Sequence, residues 1–220
     1  MKHASSRELF AYWNAQRAQR PVPDRANIEP GAIRGVLADT FILTADPRTG
    51  HPFRLAGTRI CALFCRELKG EAFASLWAED SRTEMHARAG IVADESIGLA
   101  ANATARNAED AILDLELLLL PLGSRGNPRA RIIGTLAPSE APYWLGISPI
   151  ISLTLGSFRY LDAELERNSP AFVSGAMAEE LAVGAVMTFG RRPSPGAFPA
   201  LPSAPQLQHG LRVYEGGRVE

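Results

Sequence analysis

The most regular pattern in the chain belongs to an extended segment. Over residues 112–122 leucines fall at 113, 115, 117 and 119, every second position, which makes one face of a strand continuously apolar. Asp114 and Glu116 share the opposite face with apolar neighbours. After a loop at 123–128, Arg129, Arg131, Ile133 and Thr135 alternate against Ala130, Ile132, Gly134 and Leu136. Charges in step on two successive strands suggest cross-strand ion pairs. Earlier, 40–44 is rich in β-formers, closes at the turn cluster 46–50, and with 53–57 reads as a hairpin. Residues 99–106 form a weaker strand on composition alone.

Helical spacing begins at the N-terminus. Leu9, Phe10, Trp13 and Arg17 lie on one face, Ser5 with Glu8 reads as a capping box, and Pro21 and Pro23 end the helix. Asp24, Pro30 and Ile33 mark a second, shorter helix, with Pro30 in its tolerant first turn. Thr58 reads as the cap of a helix through Ile60, Cys61, Leu63 and Phe64 that Gly70 ends. Phe73, Leu76 and Trp77 form a short helical turn, and Asp80 or Ser81 starts a longer helix through Met85, Ala89 and Val92. Helix, two strands, three helices and three antiparallel strands make an α+β domain with helices on one sheet face.

Beyond Ala137 the pattern weakens. Tyr143, Trp144, Leu145 and the stretch 150–155 carry enough apolar surface to pack back onto the domain. Residues 166–208 read as a flexible tail with room for a helix around 176–183; Pro193, Pro195, Pro199, Pro202 and Pro205 deny it regular hydrogen bonding. Residues 209–214 read as a short strand or docking segment. The organisation expected is an N-terminal helical extension over 1–36, a domain over 37–165 and a tail over 166–220.

Composition narrows the function classes. The 220 residues carry 24 acidic and 23 basic side chains, a net charge of -1, so no overall field draws the chain to nucleic acid. Hydrophobic content of 46% excludes wholesale disorder. The apolar run at 117–120 is too short to span a bilayer, and no apolar stretch follows the charge at Lys2. A cytoplasmic protein without membrane insertion is the expectation. Cys61 and Cys65, the only cysteines, suit a reducing compartment.

The run Phe53-Arg54-Leu55-Ala56-Gly57-Thr58-Arg59-Ile60-Cys61-Ala62-Leu63-Phe64-Cys65-Arg66-Glu67-Leu68-Lys69-Gly70 resembles the early part of a PAS sensor domain. There a strand with an apolar-Gly pattern enters a helix. Glu8-Leu9-Phe10-Ala11-Tyr12-Trp13, Leu37-Ala38-Asp39-Thr40-Phe41 and the close at 209–217 look like a bacterial group of stand-alone PAS proteins, catalogued as a domain of unknown function. The resemblance implies a five-stranded antiparallel sheet with helices on one face, often enclosing a small ligand, and a homodimer formed through an N-terminal amphipathic helix. Leu9, Phe10 and Trp13 would supply that interface; the equal alternative is that the aromatic face covers its own sheet. A ligand pocket would lie between sheet and helices, lined by Leu55, Phe64, Phe73, Trp77, His86 and Leu115. Signal would leave by contact with a histidine kinase or another two-component protein.

Chemistry is sparse. Where the flavin photosensors of the family carry an adduct thiol, Gly70-Glu71-Ala72-Phe73 offers Phe73. His86 lies on the helix that ligates iron in haem-bearing members, and a neutral imidazole is a competent ligand. A lone helical histidine more often faces solvent, so no cofactor is the favoured reading, with haem through His86 behind it. Cys61 and Cys65 share a helical face and fit core packing better than a metal site, which wants four ligands. Asp114 and Glu116 lack a nucleophile, phosphate loop or metal set beside them. The expectation is a sensory and regulatory protein acting by contact, with a small-molecule receptor as the alternative and an enzyme last.

Overall fold

A computed structural model of the protein describes residues 1–124 and 126–161. Its elements are α1 (Ala4–Arg17), β1 (Thr40–Thr44), β2 (Phe53–Ala56), α2 (Thr58–Phe64), α3 (Glu79–Asp94), β3 (Gly98–Asn107), β4 (Ile112–Ser124), β5 (Asn127–Pro138) and β6 (Ile150–Leu161), with 3-10 turns between them. The strands form one antiparallel sheet in the order β2-β1-β5-β4-β3-β6. The α+β antiparallel architecture is the one the sequence predicts, with one strand more than expected. That strand is β6, which adds to the β3 edge over Gly98–Asn107. The expected tail, helix at 176–183 and segment 209–214 lie outside the described residues. Within residues 1–36, Leu9, Phe10, Trp13, Val22, Ile28 and Ile33 pack against the sheet.

Both faces of the sheet carry a core, the outer one over part of its area, where the sequence predicts helices on one. On the inner face, α2, α3 and the turn Phe73–Leu76 pack on Phe41, Leu43, Leu113, Leu115, Leu117 and Leu119. The even positions of the same strand, Leu118, Leu120 and Leu122, join the outer core with Ile42, Ile133 and the N-terminal residues Leu9, Phe10, Trp13, Val22, Ile28 and Ile33. A run of unbroken leucines therefore serves two cores at once, which a period of two makes possible when neither face meets water. α3 follows the helical period, burying Met85, Ala89 and Val92, and Glu79 and Asp80 sit in its first turn, where acidic groups suit the helix dipole.

α1 starts differently from its sequence signature. His3 is the N-cap, its Nδ1 accepting from the Ser5 amide at 3.1 Å, and no capping box forms. The Ser5 hydroxyl donates instead to Asp39 at 2.7 Å, and the Arg59 guanidinium meets both Asp39 oxygens at 2.6 and 2.7 Å. Asp39 is fully buried, so these partners compensate a charge that would be costly alone. The three residues tie α1, the turn before β1 and the start of α2 together. Asp24 and Pro30 begin two separate 3-10 turns, Arg25–Asn27 and Pro30–Ile33, in place of one short helix.

Register settles the charged strands. Glu116 stands across from Ala137 and Arg131 across from Leu122, so Asp114 and Glu116 do not face Arg129 and Arg131. The hairpin β1–β2 carries a bulge: Ile42 pairs with Leu55 but Leu43 pairs with Phe53, leaving Arg54 as the extra residue. Phe53 consequently points into the inner core while Leu55, two positions on, belongs to the other face.

Candidate functional site

The inner core is packed ring against ring. Phe73 lies 5.8 Å from Phe41, 5.9 Å from Phe53 and 5.8 Å from Trp77 between ring centroids, the spacing at which aromatic pairs attract. Phe64, Phe73, Trp77 and Leu115 are all buried there. These four expected pocket residues thus fill the space between sheet and helices, and a haem against His86 would need that space. Phe73, in the position of the photosensor thiol, is part of the same packing.

His86 is half-buried on α3, its ring 5.0 Å from that of His51. His51 is fully buried, sits at φ 58°, and neither ring nitrogen has a hydrogen-bond partner. Burial holds its imidazole below the ordinary histidine range and His86 adds to this; the His86 main chain, Asp46 and Asp94 pull weakly the other way. A lowered folded pKa means the unfolded chain takes the proton first. Stability is therefore retained above about 6.5, the ordinary histidine value, and is lost as pH falls below it. We expect the urea midpoint of the native chain to drop between pH 7.5 and 5.5 by clearly more than that of His51→Gln; equal drops would remove His51 as the cause. His51 directly follows the turn cluster 46–50, and no local signal marks a histidine in that position as buried.

The cysteines do not share the core. Cys61 is half-buried and Cys65, in left-handed conformation at φ 51°, is exposed just past the end of α2. Burial, then the neighbouring Glu67, pushes the Cys61 thiol up, away from reactivity. Among the described residues no three metal-ligating side chains converge.

Leu9, Phe10 and Trp13 are occupied by their own sheet. All three are buried, and the Trp13 indole donates to the Pro121 carbonyl at 2.7 Å. They present no surface to a partner in this fold; the aromatic face closes the outer core. The N-terminus is fastened across the sheet as well. Lys2 and His3 amides donate to Glu116 at 2.5 and 3.2 Å. Burial alone would raise the Glu116 pKa, but these amides and the Ser6 hydroxyl hold it below the ordinary range.

Tyr143 and Ile147 are exposed in the segment between β5 and β6, and two openings lie on the outer face of the sheet. Over β3, β4 and β6, Asn102, Thr104, Arg106 and Asp114 are exposed, together with Ile112 and Ile151 at 65% each. Arg106 pairs with Ile112 on one side and Ser152 on the other, which brings the two isoleucines to one end of the sheet. A polar cavity of about 490 Å3 sits beside them, bordered by Lys2, Asn102, Thr104, Asp114 and Leu115. At the opposite end, a second cavity of about 290 Å3 is lined by apolar side chains including Leu55, the expected pocket residue that the bulge turned outward.

A family model described as "PAS domain" matches residues 1–137, more than half the chain. Among solved structures, the LOV protein of Rhodobacter sphaeroides is similar at 16% identity and a TM-score of 0.39, the match covering 48% of this chain and 61% of that one. A point variant described as RsLOV matches at 14% identity and a TM-score of 0.39, covering 65% and 72%. The chain spans less than two thirds of the first of these. No curated protein matches. No helix among the described residues is long and apolar enough to cross a membrane.

Proposed function

The chain belongs to the PAS domain family, and on that premise we propose that it is a sensory and regulatory module that acts by protein–protein contact, as a homodimer, and is not an enzyme. The observation that supports contact is the uncovered part of the outer sheet face over β3 and β4. α1 and the segment after it close the outer face over Leu118, Leu120, Leu122 and Ile133, yet Ile112 and Ile151 stay exposed at the far end among Asn102, Thr104, Arg106 and Asp114. Exposed isoleucines on either side of Arg106, among polar side chains, give the mixed apolar and polar composition of a protein interface. The Arg106–Asp110 ion pair and Asp114 put both signs of charge on this surface, so a second copy meets no single-sign repulsion there. A histidine kinase or related two-component protein is the output the family suggests.

Sedimentation of the full chain tests this. The native protein is expected to run as a two-chain species and the Ile112→Asp, Ile151→Asp double variant as a single chain with unchanged circular dichroism. A native protein that is monomeric across concentration would refute the dimer.

A further inference from the structure

The cavity beside Leu55 is built unlike the rest of the surface. Its walls are Ile28, Ile33 and Leu37 from the segment after α1, Ile42 and Leu55 from the β1–β2 hairpin, and Ile133 from β5. Leu55 is 47% exposed on an edge strand, where its apolar surface faces water unless something covers it. The bulge at Arg54 creates this: in a regular hairpin Leu55 would follow Phe53 into the inner core. Arg25 is the one charged residue of the lining; its neighbour Asp24 is engaged at the Ala26 amide as the cap of the turn Arg25–Asn27. The Arg25 Nη1 reaches the Ile28 carbonyl at 3.3 Å, which holds the guanidinium at the mouth with further N–H donors to offer.

We propose that this cavity binds a small amphipathic carboxylate, an aromatic ring or short alkyl chain seated on Leu55, Ile42 and Ile33 with its anion paired to Arg25. The volume of about 290 Å3 lies at the lower end for small-molecule sites and is too small for a two-chain lipid. A positive mouth over an apolar floor selects an anion over a cation, because the guanidinium pairs with a carboxylate through two parallel hydrogen bonds and repels an ammonium. The site lies across the sheet from the packed aromatic core and at the other end from Ile112 and Ile151. It is therefore independent of the dimer reading, and either can fail alone.

The probe is anilinonaphthalene sulfonate, an aromatic anion that fluoresces in apolar surroundings, titrated into the full native chain. Saturable binding of one probe per chain is expected, displaced by octanoate and not by octylammonium. Leu55→Asp places a charge in the apolar floor and should abolish binding. Arg25→Gln should weaken it at least about tenfold, since it removes the charge and the paired hydrogen-bond geometry of the guanidinium. Both positions are partly exposed, and unchanged circular dichroism confirms the fold of each variant. Absence of saturable binding, equal displacement by octylammonium, or binding indifferent to both substitutions would overturn the proposal.

Discussion

Phe73→Ala is expected to cost about 3–5 kcal/mol of folding stability, the range for emptying a large aromatic site in a packed core. Phe73 is fully buried and contacts three other rings, Phe41, Phe53 and Trp77, which come from two strands and a turn. None of those elements can collapse into the gap independently. Phe41 and Phe53 are fixed by the hairpin register and Trp77 by its bridge to Leu153. The residual cavity therefore stays open, which puts the cost at the upper end of the range. Urea denaturation followed by tryptophan fluorescence measures it. A loss below about 1 kcal/mol would mean that the core relaxes, and that the space between sheet and helices is adaptable after all.

Gly134→Ala should be comparably damaging for the opposite reason. A Cβ at Gly134 would lie 2.2 Å from the Leu118 carbonyl oxygen and 2.6 Å from the Phe41 ring. One obstacle is main chain on the neighbouring strand and the other is a ring already held by Phe53 and Phe73. β5 lies inside the sheet between β1 and β4, so it cannot shift toward either side without breaking a ladder. A loss of roughly 3 kcal/mol or more is expected, at the top of the usual overpacking range. Gly90→Ala is the control. Nothing lies within 4 Å of a Cβ there, and in the middle of α3 alanine should stabilise by about 0.5–1 kcal/mol. Thermal unfolding of the two variants beside the native chain should therefore move the midpoint in opposite directions.

The sequence was legible wherever one residue's neighbours in the chain decided its role. The alternation of Leu113, Leu115, Leu117 and Leu119 gave β4 and its buried face, and Met85, Ala89 and Val92 gave α3. β6 also carries the period of two, Ile151, Leu153 and Leu155 alternating with Ser152, Thr154 and Gly156, but its apolar residues read only as surface packing back onto the domain; pairing with β3 makes it a sixth strand. Side-chain competition undid the capping box, since Ser5 had a better partner in Asp39, far along the chain. A single inserted residue puts Leu55 on the other face from Phe64, Phe73, Trp77 and Leu115. Alternation predicts the same face for 53 and 55, and only the pairing with Ile42 and Leu43 reveals the bulge. The double burial of α1's aromatic face and the burial of His51 are likewise tertiary facts.

The fastening of Lys2 and His3 to Glu116 has a practical corollary. Met1 already borders a hollow beside Asn102, Phe158 and Arg159. Any affinity tag or reporter fused ahead of Met1 would emerge directly over β3 and β6 and shade the strands available for assembly. Handles for purification or imaging belong elsewhere on this molecule, and an assembly assay run with an N-terminal fusion would be reading the fusion.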